Sequence, residues 1–131
     1  KVIDSNNYKV MARILIADDS STQISGISKI LTRGGHEIIT ADDGEQAVEM
    51  AASESPDIIL MDVVMPKLNG FQATRQITRN PGTQHIPVIM LTSKDQETDR
   101  VWAERQGASG YLTKPPSEND LLNTIESLLK H

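Results

Sequence analysis

The sequence predicts an α/β domain of repeated strand-helix units around a parallel sheet. Three observations carry that expectation. Short apolar runs rich in β-branched residues alternate with segments of helical periodicity, five such units follow one another, and 131 residues suit a single compact domain. The same alternation from Arg13 onward is what places helices on the faces of a sheet rather than between two sheets.

Residues 1–10 carry the turn formers Asp4, Ser5, Asn6 and Asn7 ahead of Met11 and read as an extension or cloning scar, leaving 11–131 as the domain. The strands are expected at Ile14–Ala17, Glu37–Ala41, Asp57–Met61, Val88–Leu91 and Ser109–Leu112. The first, third and fourth lack polar alternation, as central strands buried on both faces do. Between the first two strands, Ile24, Ile27, Ile30 and Leu31 share a helical face that stops at Gly34-Gly35. A second helix presents the small residues Ala47, Val48, Ala51 and Ala52 and is expected to pack close. Phe71 and Ile77 mark a third, halted by Asn80-Pro81-Gly82. The fourth, from about Asp95 to Gln106, offers mainly Val101 and Trp102 as apolar anchors. Two readings of it stand: a mobile or partner-binding helix, and a solvated helix with a narrow buried stripe. Trp102, the lone large apolar residue on so polar a helix, is expected to be at least partly buried. The fifth repeats Leu121, Leu122, Ile125, Leu128 and Leu129 at helical spacing behind a Ser117 cap.

Composition narrows the function. Eighteen acidic against thirteen basic side chains give a net charge of −5, and the pI is near 5.1. That balance supplies no basic patch for nucleic acid or an anionic membrane. One Trp, two Tyr and one Phe are too few for a single-strand stacking platform. With no cysteine, disulfides, thiolate zinc sites and cysteine nucleophiles are excluded, and a reducing cytoplasm is the expected location. No apolar run has the length of a membrane span, and with no signal-peptide pattern at the start and two residues after Leu129, neither export nor a separate output domain is expected.

In an open parallel sheet, ligands bind beyond the carboxyl ends of the strands. The residues expected there are Asp18 and Asp19 after the first strand, Asp62 after the third, Thr92 and Ser93 after the fourth, and Lys114 before Pro115 after the fifth. Carboxylates this close repel: two unit charges 4 Å apart interact by about 4 kcal/mol at an effective dielectric near 20. One lysine leaves two negative charges, which a divalent cation would offset. Hard carboxylate oxygens without His or Cys favour Mg²⁺ over zinc or copper. With that charge offset, a carboxylate can face a phosphoryl group and attack phosphorus, and the Thr92 hydroxyl is placed to donate to a phosphoryl oxygen. Each element alone has a bland reading. Asp-Asp before Ser20 is a common helix cap, and Asp62 followed by Met65-Pro66 and Asn69-Gly70 is ordinary turn chemistry. The conjunction at the ends of four strands is what favours a site. His36, His85 and His131 have no partner at ligand spacing and read as structural or exposed.

Asp18-Asp19, the run LMDVVMPKLNG from Leu60 to Gly70, Thr92, and Tyr111 with Lys114-Pro115 closely resemble the receiver domain of two-component response regulators, from about Ala12 to Leu129. The resemblance implies a flavodoxin-like, CheY-like five-stranded parallel sheet of order 2-1-3-4-5, flanked by five helices. It implies Asp62 as phosphoacceptor. Mg²⁺, with Mn²⁺ as a substitute, would be held by Asp19, Asp62 and the Val64 carbonyl, with Asp18 acting through water. Thr92 would be the switch hydroxyl, Tyr111 the coupled aromatic, Lys114 the phosphoryl-contacting cation, and Pro115 a cis-proline. Val64 and Lys94, two residues past the phosphoacceptor and the threonine, would tune hydrolysis; an apolar Val64 cannot orient water, whereas Lys94 can. GFQATRQITRN, IPVIMLTSKDQETDRVW and RQGASGYLTKP further resemble the pilus-associated, single-domain PilH-type regulators of twitching motility. Two positions depart from the common receiver pattern: Pro116 follows Pro115 and stiffens the loop, and Ala17 stands where a bulkier Val is frequent.

The implied partners are a CheA-like histidine kinase and a downstream protein on the face of the fourth helix, fifth strand and fifth helix, with no nucleic acid and no membrane insertion. The chain would catalyse its own phosphorylation and dephosphorylation without being a turnover enzyme. The alternatives are a phosphate sink for a shared kinase, a scaffold without phosphorylation, and a Mg²⁺-dependent phosphohydrolase. The last would need a general acid where Val64 stands.

Overall fold

The computed structural model describes residues 11–93 and 97–129. Its elements run β1 Arg13–Ala17, α1 Ser21–Arg33, β2 Glu37–Ala41, α2 Gly44–Glu54, β3 Ile58–Asp62, α3 Gly70–Arg79, β4 Val88–Thr92, α4 Glu97–Arg105, β5 Gly110–Thr113 and α5 Glu118–Leu129. The five strands form one parallel sheet in the order β2-β1-β3-β4-β5. The three continuous apolar runs are indeed its inner strands, and every residue of β3 and β4 is buried. The expected residues 1–10 extension lies outside the described residues.

Alternation along the inner strands divides the core into two layers. Ile14, Ile16, Ile58, Leu60, Ile89 and Leu91 face Ile27 and Leu31 of α1 and Leu121 and Ile125 of α5. Leu15, Ala17, Ile59, Met61, Val88 and Met90 face Ala47 and Ala51 of α2, Ala73 and Ile77 of α3, and Ala103 of α4. The second layer is met largely by alanines, so α2 and α3 approach the sheet closely. Ala17, with no exposed surface, belongs to this tight layer.

Helix ends follow local chemistry. Ser20, Asp43 and Asn69 accept hydrogen bonds from the N–H groups of Gln23, Gln46 and Gln72, and Asn69 with Gln72 completes a capping box. The expected Ser117 cap is present, its Oγ accepting from the Asp120 N–H at 3.0 Å. Gly34 ends α1 as the sequence suggests.

β1 starts one residue earlier than expected, β3 starts one later and β5 sits one residue later, and further details differ from the sequence reading. β3 and β4 each run one residue further, so Asp62 and Thr92 end their strands instead of following them, because both backbones remain in the ladder. Ala52 is exposed, since the buried stripe of α2 is carried by Gly44, Ala47 and Ala51, with Val48 partly buried beside them. α4 ends at Arg105, one residue before the expected Gln106, and its expected start at Asp95 lies outside the described residues. Its buried anchor is Ala103, 1% exposed, while Val101 and Trp102 keep 44% and 46% of their surface in solvent. Trp102 therefore keeps nearly half of its surface in solvent, on a groove it lines together with Phe71 of α3, with the Arg105 guanidinium 5.3 Å from its ring centre. Among the described residues, no helix is long and apolar enough to cross a membrane.

Candidate functional site

Parallel register brings the carboxyl ends of the inner strands to one edge, with Ala17 beside Met61, Asp62 beside Leu91 and Thr92 beside Thr113. Asp18 continues β1 past its end, and its N–H donates to the Ala41 carbonyl at 3.1 Å, which draws the side chain down into the fold. It is 1% exposed. Its Oδ1 accepts from the Ser20 N–H at 2.9 Å, while its buried Oδ2 has no hydrogen-bond partner. An oxygen left unpartnered in that position costs free energy unless a cation meets it. Asp19, Asp18 and Asp62 each offer an oxygen within 4.8 Å of the others, and Asp19 is the exposed member.

Asp62 is 3% exposed and is paired by Lys114, whose Nζ lies 2.5 Å from Oδ1. Lys114 follows β5 and is tied to β4: its N–H donates to the Thr92 carbonyl at 2.7 Å, and its bond to Pro115 is cis. Burial raises the Asp62 carboxyl above the usual range, opposed chiefly by the hydrogen bond and charge of Lys114. Burial likewise raises Asp18, opposed by the Ser20 N–H and reinforced by the charge of Asp62. Both groups sit where their ionised forms are under-solvated, the electrostatic condition for recruiting a cation.

The loop after Asp62 is clamped onto the strand. The Gly70 N–H donates to the Val63 carbonyl at 2.7 Å, and a Cβ at Gly70 would lie 2.1 Å from the Asp62 carbonyl oxygen. Gly70 is thus required by close approach. The left-handed residue of this turn is Lys67, with φ 70°. Val64 projects outward, 74% exposed.

A cleft of about 420 Å³ opens over Asp62, lined by Val63, Val64, Thr92, Ser93, Asp99 and Lys114. Thr92 is 1% exposed and its hydroxyl donates to Asp99 Oδ2 on α4 at 2.5 Å. Tyr111 is half-buried in β5, with the Arg100 guanidinium 5.3 Å from its ring centre. The structure therefore brings together Asp18, Asp19, Asp62 and Lys114, places Thr92 on the same cleft, and sets Tyr111 one strand across. Lys94 lies outside the described residues. His36 is separate: its Nδ1 accepts from the Ala12 N–H at 3.1 Å.

Asp99 and Arg100 are absent from the sequence reading. The signal for Asp99 was its position four residues before Ala103, which puts it on the buried stripe of α4. Taking Val101 and Trp102 as anchors turned that stripe away from the sheet.

The chain matches the family described as the response regulator receiver domain over residues 14–126. It is 55% identical over 119 residues to Protein PilH of Pseudomonas aeruginosa, covering 91% of this chain and 98% of that protein. Longer relatives are matched over 26% to 50% of their own length. Chemotaxis protein CheY4 of Vibrio cholerae superposes with a TM-score of 0.82 at 31% identity, covering 91% of this chain and 99% of that one. The receiver domain of a sensor histidine kinase from Pseudomonas aeruginosa, described with magnesium ion coordinated in the active site cleft, superposes with a TM-score of 0.85. It is 30% identical and covers 93% of this chain and 100% of that one.

Proposed function

This chain belongs to the response regulator receiver domain family, and on that premise we propose that Asp62 accepts a phosphoryl group from a histidine kinase and thereby switches a protein-binding surface. The single observation that carries the reading is the buried Asp62–Lys114 pair beside an unpartnered Asp18 oxygen. A carboxylate is here held ready at a cleft, with its negative surroundings only partly offset.

In this reading Asp19, Asp62 and the Val64 carbonyl hold Mg²⁺, with Asp18 assisting through water. The buried Asp18 oxygen and the three-carboxylate cluster support that donor set. When bound, Mg²⁺ supplies the positive charge that offsets the carboxylates and the incoming phosphoryl oxygens. Asp62 performs the transfer: one carboxylate oxygen bonds to phosphorus as the phosphorus–nitrogen bond of phosphohistidine breaks, the electron pair leaving on nitrogen. Lys114 steadies the carboxylate before transfer and a phosphoryl oxygen after it. Water attack on phosphorus later restores Asp62 and frees phosphate. Val64, exposed and apolar, leaves Lys94 to influence that water. The chain acts on itself in both steps and turns over no other substrate.

The same reading assigns residues 11–131 to the receiver and the protein to the cytoplasm. The kinase is CheA-like, and the output face comprises α4, β5 and α5, with α4 reached from the cleft by Thr92 through Asp99 and from β5 by Tyr111 through Arg100. The likeness to PilH supports PilH-type pilus motility signalling as the pathway.

Acetyl phosphate with Mg²⁺ tests the chemistry. Intact-mass measurement is expected to show one added phosphoryl group that is lost in Asp62→Asn and when Mg²⁺ is chelated. An unmodified wild-type chain, or equal modification of Asp62→Asn, would refute the assignment.

A further inference from the structure

We propose that Asp99 is a positioning residue that holds the Thr92 hydroxyl in the resting state and that phosphorylation of Asp62 expels it, releasing α4. The proposal rests on the reading of Asp62 as phosphoacceptor and extends it to a residue which that reading leaves without a role.

A threonine hydroxyl has one proton to donate. In this structure that proton goes to Asp99 Oδ2, so it cannot also reach a phosphoryl oxygen on Asp62. The two acceptors compete for one donor. They also share one space, because the Asp99 side chain lines the cleft that Asp62 and Lys114 line. A phosphoryl group brings a charge of about −1.5 to −2 into that cleft and faces the Asp99 carboxylate with like charge. Phosphorylation therefore removes the hydroxyl from Asp99 and repels the carboxylate that remains.

α4 is built to respond. Ala103 is its fully buried apolar anchor, with Val101 and Trp102 half in solvent. Beside the Arg100–Tyr111 contact, the bond from Asp99 to the end of β4 is thus one of the polar ties of the helix to the sheet. A bistable element needs such a contact, made in one state and lost in the other. Coupling of this kind is reciprocal: whatever frees α4 must favour the phosphorylated state equally. Loosening the latch by mutation is then expected to tighten binding of a phosphoryl analogue at a site it does not touch.

The test is a titration of the full chain with beryllium fluoride and Mg²⁺, read by the fluorescence of Trp102. This is the chain's single tryptophan and lies three residues beyond Asp99. Asp99→Ala is expected to lower the half-saturating fluoride complex about tenfold, the scale of one hydrogen bond to a charged group. Its fluorescence without the analogue should already lie toward the saturated wild-type value. Asp99→Asn keeps an acceptor but removes the charge, so its affinity should fall between the two. On a Thr92→Ala background the gain from Asp99→Ala should shrink, because the competition for the hydroxyl is gone. Circular dichroism checks folding, and the near-isosteric Asp99→Asn decides the matter if Asp99→Ala does not fold. A normal wild-type response with unchanged or weaker affinity in the Asp99 variants overturns the proposal alone. No wild-type response, or an equal one in Asp62→Asn, overturns the phosphoacceptor reading and the proposal with it.

Discussion

Asp18 and Asp62 are both displaced upward in pKa by burial, and the sign of the consequence is definite. With the folded value above the unfolded one, the native state binds more protons between them. Each group's contribution to stability is therefore full below the ordinary carboxylate range and is lost as pH rises through the raised value. Above the raised value and without metal, the ionised side chains weigh against the fold. Asp18→Asn keeps the acceptor for the Ser20 N–H while removing a charge, so the metal-free variant is expected to be more stable than wild type once pH exceeds that raised value. Denaturant unfolding across pH should show that gap closing toward acid pH; a gap that widens there would contradict the assignment. His36 runs the other way. Burial lowers its pKa, and its Nδ1 must stay unprotonated to accept from Ala12, so its contribution is present above about 6.5 and lost as pH falls. The carboxylates and Lys114 were legible in the sequence because strand ends in a parallel sheet converge by rule. Asp99 was not, since its meaning depends on the rotation of one weakly apolar helix.

At the scale of elements, α3 and α4 are opposites. α3 is fastened at its first residue, where Gly70 lies against the Asp62 carbonyl with no room for a Cβ. Gly70→Ala is expected to cost about 1–3 kcal/mol, the range for overpacking a tight contact. Because the atom displaced is the backbone of Asp62, the same change should slow phosphorylation by acetyl phosphate. A stable Gly70→Ala protein with unaltered phosphorylation would show that the clamp is dispensable. The sequence reading took Gly70 as a turn residue, yet the left-handed position falls on Lys67; Asn-Gly signals a turn without saying which of its residues bends and which must be small. Gly44 repeats the device, its missing Cβ leaving space for the Leu68 carbonyl of the same loop. α4, in contrast, is held by one buried side chain, Ala103, and by polar contacts: Asp99 with Thr92, Arg100 with Tyr111, and the Thr78 hydroxyl donating to the Gln106 carbonyl just past its end. Its apolar residues were visible, but only three dimensions show that the largest of them stay half in water.

For the whole molecule, the sheet is the rigid part. β1, β3 and β4 were legible as buried central strands from composition alone, while the strand order came from likeness to a family. Leu60→Ala, in the fully buried β3, is expected to cost about 2–5 kcal/mol. An effect under about 1 kcal/mol in chemical denaturation would contradict this packing. The proposed Mg²⁺ site would link to global stability: at a hundredfold excess over its dissociation constant the ion should add about 2.7 kcal/mol, and Asp19→Asn should lose most of that gain. Thermal unfolding at fixed pH checks both.

The central claim is that a phosphoryl group on Asp62 alters the surface carried by α4 and β5. Amide chemical shifts of the isotope-labelled chain, recorded with and without beryllium fluoride and Mg²⁺, test it most directly. Shifts are expected at Asp62 and Thr92 and onward through Asp99 to Trp102 and Tyr111, and none of these in Asp62→Asn given the same additions. Changes confined to the Asp18, Asp19 and Asp62 neighbourhood, or the same changes in Asp62→Asn, would contradict it.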